Sequence, residues 1–318
     1  MTDFIPDQGN DEQKDSDPGN KNNLPEWIPG INPIGAAFVG LIGAFILYQF
    51  VGGTLTLLIF GLNIDEAPVD GVRLMTSAGQ ILFILLPALI FAKWFYEDVG
   101  TIIRFKSADL KGILLFVFGI IILTPLLQSY IAIQNYFFFK LAAEYEFVNS
   151  IKSAFDSLNE LVEKTYGNLL NANSAIEAVF VIIVIAVVPA VCEEVMFRGY
   201  VQKSFEFKLK PLWAIVITSV FFGLYHFNPY GMIPLILLGA YFGFAAYLSN
   251  SILIPVILHF LNNFTAVMLY YTLGSEELIK SAGEQEIDLY STVVFFFVML
   301  AMFSFLMVYI VRYYKKND

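Results

Sequence analysis

The sequence predicts an all-α fold, a polytopic membrane helix bundle of about eight transmembrane helices. Of its 318 residues, 58% are hydrophobic and 14% are charged, whereas soluble domains carry about 25% charged residues. The mean hydropathy is +0.68, and a spanning helix needs roughly 20 mainly apolar residues. The stretches that meet this requirement are 34–62, 74–95, 112–134, 176–198, 212–228, 231–249, 253–273 and 289–313.

The chain is expected to divide into five segments. Residues 1–28 are polar and acidic without a signal-peptide pattern, so we expect a disordered tail. Residues 29–137 hold the first predicted transmembrane helices. Over 138–173 apolar residues recur at helical spacing among charged ones, which predicts an amphipathic connector, with a lid over a site as the alternative. Residues 174–273 form a predicted four-helix core, and 274–318 a polar loop with the last transmembrane helix.

Charge indicates both the partners and the orientation. A nucleic-acid partner requires a basic stripe, and the formal net charge of -10 argues against such a partner. The apolar spans make membrane lipids the expected surroundings. Most Lys and Arg residues lie on the side that would carry both termini and the loops near 96–111 and 199–211. The positive-inside rule assigns this side to the cytoplasm. We expect a multi-pass protein of the cell membrane with cytoplasmic termini and a polar cavity that opens toward the cytoplasmic half.

Ionisable side chains inside apolar stretches mark a candidate site, because they are costly in a bilayer. His226 and His259 both lie in such stretches. Glu194 and Arg198, at the end of another stretch, are four residues apart and share a helix face in the favoured order, so we expect them to pair. Glu193 points about 100° away. It is left without an intrahelical cation, which suits a general base, although interfacial capping is the structural alternative.

Each histidine has a structural alternative as well. His226 follows Phe222 by one helical turn, and the phenyl ring can fix the imidazole. Beside a glutamate, this histidine can polarise a water; alone, it is typical of a hydrogen-bonded residue at a helix end. His259 and Asn263 share a helix face and can donate hydrogen bonds to an oxyanion. Their alternative is a polar contact between membrane helices. Pro189 is expected to kink the helix just before the glutamates.

A zinc site is a further alternative, because one carboxylate and two imidazoles would leave an open position for water. Glu193, His226 and His259 would supply these ligands. The compact His-Glu-x-x-His spacing is absent, so the sequence does not support zinc and we expect no cofactor. Cys192, the single cysteine, excludes an intrachain disulfide and is expected to be a small core residue.

The three motifs, in this order on successive apolar stretches, resemble the CPBP intramembrane protease family, the CAAX-processing and bacteriocin-processing type. The family pattern is Glu-Glu-x-x-x-Arg, then Phe-x-x-x-His, then His-x-x-x-Asn on successive helices of a four-helix core. The resemblance covers roughly residues 175–273. The matching residues are Glu193, Glu194, Arg198, Phe222, His226, His259 and Asn263.

The resemblance implies a glutamate-dependent, metal-independent endopeptidase that acts on membrane-associated or lipidated, CAAX-like peptides. Glu193 with His226 would activate a water for attack on the peptide carbonyl. His259 and Asn263 would stabilise the tetrahedral oxyanion. Two alternatives are a non-catalytic membrane binding or bacteriocin-immunity module and a transporter with a proton relay, which the sequence supports less because it lacks inverted repeats.

The predicted span boundaries leave one conflict. At 1.5 Å per residue, Glu193 lies about 28 Å along its helix and His226 about 20 Å along the next one, which runs back. Their depths in the membrane would then differ by half a bilayer. The helix that carries Glu193 must therefore run past Arg198, or the helix that carries His226 must begin later than residue 212.

Overall fold

The computed structural model describes residues 31–62, 66–273 and 288–317. The predicted tail at 1–28 and nearly all of the predicted loop at 274–288 lie outside these residues. Within the described ranges the regular structure is helical, as predicted. In chain order the helices are α1 (Pro33–Phe60), α2 (Val69–Tyr96), α3 (Val99–Ile102), α4 (Leu110–Glu144), α5 (Glu146–Leu170), α6 (Ala175–Glu206), α7 (Pro211–Leu224), α8 (Met232–Ser249), α9 (Leu253–Leu273) and α10 (Leu289–Asn317).

Seven helices of the described residues are long and apolar enough to cross a membrane: α1, α2, α4, α6, α8, α9 and α10. The predicted span at 212–228 is shorter than expected. Helix α7 has 14 residues and a length of about 21 Å. Phe227 has a φ of 49°, outside the α-helical region, and Pro229 disfavours a helical residue before it. The predicted eight spans are therefore seven spans and one short apolar helix.

The predicted amphipathic connector begins later than expected, because α4 continues without a break to Glu144. The connector is helix α5, and both of its halves are tied to the bundle. At its carboxyl end Arg73 Nε donates to the carbonyl of Leu169 at 3.0 Å, which suits the negative end of a helix dipole. In its first half Asp156 accepts a hydrogen bond of 2.5 Å from the Tyr230 hydroxyl.

Proline produces local widening of two spanning helices. Pro189 has no N–H for the carbonyl of Ile185, and Pro87 has none for Phe83, so an α-helical bond is missing in each case. Helix α6 has a π-type turn over Ile183–Val187, and helix α2 has one over Ile81–Leu85. The expected disturbance before the glutamates is thus a widened turn, and it changes the direction in which the following side chains point.

The helices pack around two apolar clusters. One cluster joins α1, α2 and α6 and includes Leu41, Ala88 and Tyr200; the Tyr200 hydroxyl donates to the carbonyl of Ala36 at 2.7 Å. The other joins α4, α8, α9 and α10. Helix α6 contacts α1 and α2 on one side and α8 and α9 on the other. It therefore carries its side chains into both halves of the bundle.

The continuation of α6 resolves the conflict in depth. Helix α6 ends at Glu206, and α7 starts at Pro211 after a short turn. Glu193 lies 13 residues before Glu206, about 20 Å from the turn. His226 lies 15 residues after Pro211, about 22 Å from the same turn at helical rise. The two side chains are at the same level because α6 runs past Arg198.

Candidate active site

Glu194 lies in a buried ionic network at the middle of the bundle. Arg198 Nη1 donates to Glu194 Oε1 at 2.8 Å, and both side chains are 0% exposed. This is the pairing expected from their spacing. His259 Nδ1 lies 2.7 Å from the same oxygen, and it is the donor because an ionised carboxylate only accepts. Arg198 Nη2 also donates to the carbonyl of Gly239 at 3.1 Å, so the network joins α6, α8 and α9.

Aromatic rings enclose this network. The guanidinium carbon of Arg198 lies 4.2 Å from the centroid of the Phe222 ring, within the range of a cation–π contact. The Phe242 ring stacks on the imidazole of His259, with centroids 5.6 Å apart. A side chain at Gly239 would place its Cβ 3.0 Å from Phe222, so glycine permits this close approach of α8. The buried charges are thus compensated by their partners and by ring faces.

Glu193 has different surroundings from its neighbour. It is partly buried and lines a cavity of about 480 Å³. As expected, no cation of its own helix pairs with it among the described residues. Its partner is Gln80 of α2, whose Nε2 donates to Glu193 Oε1 at 3.1 Å. We did not predict Gln80 from the sequence, although a buried amide inside an apolar span is the kind of residue that marks a polar contact.

His226 lies in the wall of the same cavity. Its Nδ1 is 2.7 Å from the carbonyl oxygen of Phe222, and a carbonyl only accepts, so Nδ1 carries a proton. In a neutral ring the other nitrogen, Nε2, then keeps its lone pair for an acceptor role. The Phe222 ring meets the imidazole edge to face, with centroids 4.7 Å apart, as its position one turn earlier suggested. Glu193 and His226 therefore offer two acceptor groups to one cavity.

The two histidines lie around the same phenylalanine. The Phe222 centroid is 5.9 Å from that of His259, and the ring is 1% exposed. His226 lines the cavity, whereas His259 is 3% exposed and bound to Glu194. His259 is not among the residues that line the cavity wall. The three motifs converge on Phe222, but they divide between a cavity and a buried network.

Asn263 has a partner in the widened turn of α6. Its Nδ2 donates to the carbonyl of Ile185 at 3.0 Å, the carbonyl that loses its α-helical donor because of Pro189. Asn262 Nδ2 donates in turn to Asn263 Oδ1 at 3.1 Å. Asn263 does not belong to the cavity wall. The geometry therefore places one of its amide hydrogens on the backbone of α6 and leaves the second available.

The amphipathic helix forms one wall of the cavity. Leu158, Leu161, Val162, Thr165 and Tyr166 of α5 contribute to the lining, so the connector also has the covering position that we considered for a lid. Helix α5 precedes α6 directly, and it therefore lies at the amino-terminal end of α6. The lysines near 203–210 lie at the opposite end. The wall that α5 provides is thus on the side of the bundle away from these lysines.

The polar groups near the cavity do not form a set of metal ligands. Within the part of the chain that the structure describes, no group of three His, Cys, Asp or Glu side chains is placed to hold a metal ion. His259, which would have to be the third ligand, does not line the cavity that Glu193 and His226 share. Cys192 is buried, as expected for a core residue. In the described residues Glu193, His226 and His259 therefore do not form one cluster of ligands.

Comparison with known proteins finds a family model that matches the motif-bearing helices. Residues 175–265 match the family model described as type II CAAX prenyl endopeptidase Rce1-like. The CPBP resemblance is confirmed. The matched segment comprises α6, α7, α8 and the first part of α9, and it contains every residue of the three motifs. This CPBP-type core indicates a peptidase of the membrane. Neither the search of curated proteins nor the search of solved structures finds a match to the chain.

Proposed function

We propose that the chain is an intramembrane endopeptidase in which Glu193 and His226 activate a water molecule. The observation that carries this proposal is the presence of both side chains in one cavity, at one level of the bundle. Glu193 keeps one carboxylate oxygen clear of its bond with Gln80, and His226 keeps Nε2. Two acceptors beside an enclosed space are what a water needs in order to be held and deprotonated.

The chemical step follows from these two acceptors. The water donates one hydrogen bond to the carboxylate of Glu193 and one to Nε2 of His226. As its oxygen attacks the peptide carbonyl, Glu193 takes the proton, and a tetrahedral intermediate forms. Glu193 then gives the proton to the leaving amine as the C–N bond breaks. The second proton of the water stays on the attacking oxygen, which becomes part of the new carboxyl group, so the step balances without a metal.

We also propose that His259 and Asn263 support the oxyanion, as the CPBP pattern implies. This role depends on the hydrogen-bond donors that the two side chains do not already use. With Nδ1 on Glu194, His259 can donate to an oxyanion only from a protonated Nε2, that is, as an imidazolium. Asn263 would use its second amide hydrogen. Because neither side chain lines the cavity, the substrate carbonyl would have to reach them past Phe222.

The proposed substrates are membrane-associated or lipidated peptides with a CAAX-like end. Two features support them: the family description, and a cavity that lies among membrane helices and has mostly apolar walls. We test the activity by mass spectrometry of membrane peptides from cells with the wild-type chain, Glu193→Ala or Glu193→Gln. Both variants should lose the products, because general-base catalysis contributes about 10²- to 10⁴-fold.

The control for this test is Glu160→Gln, which removes an exposed carboxylate of α5 and should leave the products in place. If the wild type and Glu193→Ala give the same peptides while both insert and fold, the endopeptidase proposal fails. That outcome would favour the non-catalytic binding or immunity module. Product formation that survives strong chelators would fit the glutamate mechanism, and product loss on chelation would contradict it.

The position of the cavity bears on the orientation. Loop charge assigns the end with Lys208 to the cytoplasm, but α5, which forms one wall of the cavity, lies at the other end. We therefore propose that the cavity opens in the non-cytoplasmic half, contrary to the opening expected from the sequence. An impermeant maleimide on intact cells should label Ser157→Cys and leave Lys208→Cys unlabelled, since both sites are exposed and Cys192 is buried. The reverse pattern would restore the cytoplasmic opening.

A further inference from the structure

We propose that Gln80 is a positioning residue that holds the carboxylate of Glu193 toward the water site. This inference rests on the proposed endopeptidase function. Gln80 lies in α2, outside the residues that match the family model. Its side chain is 6% exposed, and its Nε2 donates to Glu193 Oε1 at 3.1 Å across 113 residues of sequence. The first spans of the chain would then be part of the active site and not only its support.

The backbone around Gln80 favours a fixed side-chain position. Gln80 is the last residue before the widened turn of α2. Glu193 lies between the widened turn of α6 at Ile183–Val187 and a second one at Val195–Val201. Such π-type turns are frequent at functional sites. A Cβ on Gly79 would lie 3.1 Å from the Tyr48 ring. Glycine thus lets α1 and α2 approach closely just beside Gln80. This packing fixes the height in the bundle at which the Gln80 side-chain amide meets Glu193.

The neutral amide suits the chemistry that we propose for Glu193. A carboxylate with one oxygen in a hydrogen bond can no longer rotate freely about its last torsion, so the other oxygen has a defined direction. Arginine or lysine would do the same but would also neutralise the charge that must accept a proton. The contrast with Glu194, which is bound by Arg198, is direct. Gln80 therefore orients the general base and leaves its charge available.

A purely structural contact between α2 and α6 would have other consequences. Its loss would lower stability and leave the turnover of correctly folded molecules unchanged. A positioning role makes two specific demands: kcat must fall while KM is kept, and the vibrational signature of the Glu193 carboxylate must depend on Gln80. The second demand does not require any knowledge of the natural substrate.

The test uses the full-length chain in detergent with Gln80→Met, which keeps the side-chain length and removes the donor. The matched control is Gln128→Met, the same change on α4 at a site remote from the cavity. Thermal unfolding first verifies that both variants fold. With a fluorescence-quenched farnesylated peptide that has a CAAX end, Gln80→Met should lower kcat by about 10- to 100-fold, because small misplacement costs this much. KM should change by no more than about twofold.

The second measurement is the infrared difference between each background and its Glu193→Gln variant, which isolates the carboxylate band of Glu193. The band should shift in Gln80→Met and stay in place in Gln128→Met. An unchanged band, or an unchanged kcat, would overturn the positioning role. If the wild type does not cleave the peptide but the band shifts, the proposed function fails for this substrate class, while the hold of Gln80 on Glu193 stands.

Discussion

Two adjacent carboxylates of α6 have opposite surroundings in this protein. Glu194 is buried without contact to solvent and is bound by Arg198 and His259. Glu193 faces a cavity and is bound by the neutral amide of Gln80. Because neighbouring residues on a helix point about 100° apart, one turn of α6 serves both environments. Pairs of titratable groups in contrasting environments are the usual basis of separate roles.

The histidines repeat this contrast. His259 donates to Glu194 inside the ionic network, and His226 donates to a backbone carbonyl and keeps Nε2 toward the cavity. Phe222 separates them, with a ring contact to each. The difference teaches that the conspicuous motif residues need not all act on the substrate. We expect Glu194 and Arg198 to maintain the fold, and Glu193 and His226 to activate the water. His259 has a structural bond to Glu194 in addition to its proposed oxyanion role.

The largest expected effect is on the buried network. Arg198→Met leaves Glu194 buried with an uncompensated charge, which should lower the free energy of unfolding by about 3–5 kcal/mol. Equilibrium unfolding in detergent micelles measures this loss. The double variant Glu194→Gln/Arg198→Met should recover much of it, because no buried carboxylate is then left without its guanidinium partner. On the cavity side, Glu193→Gln should lower the free energy of unfolding by no more than about 1 kcal/mol, because the new amide oxygen can still accept from Gln80. Equal losses for Arg198→Met and Glu193→Gln would contradict the contrast.

The histidines give the next effect. His259→Ala removes a donor from a buried carboxylate and should lower the free energy of unfolding by about 1–3 kcal/mol. His226→Ala should leave stability nearly unchanged and reduce peptide cleavage by about 10²- to 10⁴-fold. The two variants are each other's controls when unfolding and cleavage are measured on the same preparations. The proposed oxyanion role also predicts that folded His259→Ala molecules lose peptide cleavage, and full cleavage by this variant would contradict that role.

Part of this contrast was predictable, because it is local. The membrane fold follows from composition, and the Glu194–Arg198 pair follows from a spacing of four residues on one helix face. The convergence of the three motifs was expected from the CPBP resemblance. The contact between Phe222 and His226 is also a matter of helical spacing. These features depend on periodicity along one helix, which the sequence displays directly.

The rest depends on tertiary packing between distant segments. Gln80 reaches Glu193 across 113 residues, and only the approach of α2 to α6 brings them together. The wall formed by α5 depends on ties to Arg73 and Tyr230, which lie in other elements. The shortness of α7 follows from the backbone at Phe227. A window of apolar residues cannot show these relations, because each of them depends on a contact between segments that are distant in the sequence.

Replacement of Asn263 should have a smaller effect on stability, and it separates a backbone contact from a role as oxyanion donor. Asn263→Leu removes the donor for the carbonyl of Ile185, and leaving this group unsatisfied should lower the free energy of unfolding by about 1 kcal/mol. A backbone contact alone predicts that kcat of the folded molecules stays within about twofold of wild type. An oxyanion donor predicts a loss of about 10²-fold or more in kcat. Asn262→Leu is the matched control, because its amide contacts Asn263 and not the backbone of Ile185.

The smallest expected effect concerns the wall that α5 provides for the cavity. Although partial burial raises the pKa of Asp156, hydrogen bonds from Lys152 and Tyr230 outweigh it and hold this pKa below its usual value. The ionised form is therefore bound more strongly in the folded protein. Its contribution is fully present above the unfolded pKa of about 4 and is lost as pH falls through the folded pKa.

Tyr230→Phe should therefore loosen α5 at neutral pH by about 1 kcal/mol, which is about a fivefold loss of amide protection in hydrogen exchange over this helix. In the wild type the same loss should appear only below about pH 4, and in Tyr230→Phe acid should add less. Tyr145→Phe, which removes an exposed hydroxyl at the start of α5, is the control. If Tyr230→Phe leaves the amide protection of α5 unchanged but lowers peptide cleavage, the hydroxyl acts at the cavity itself. Tyr230 would then belong to the active site and not only to the wall that α5 forms.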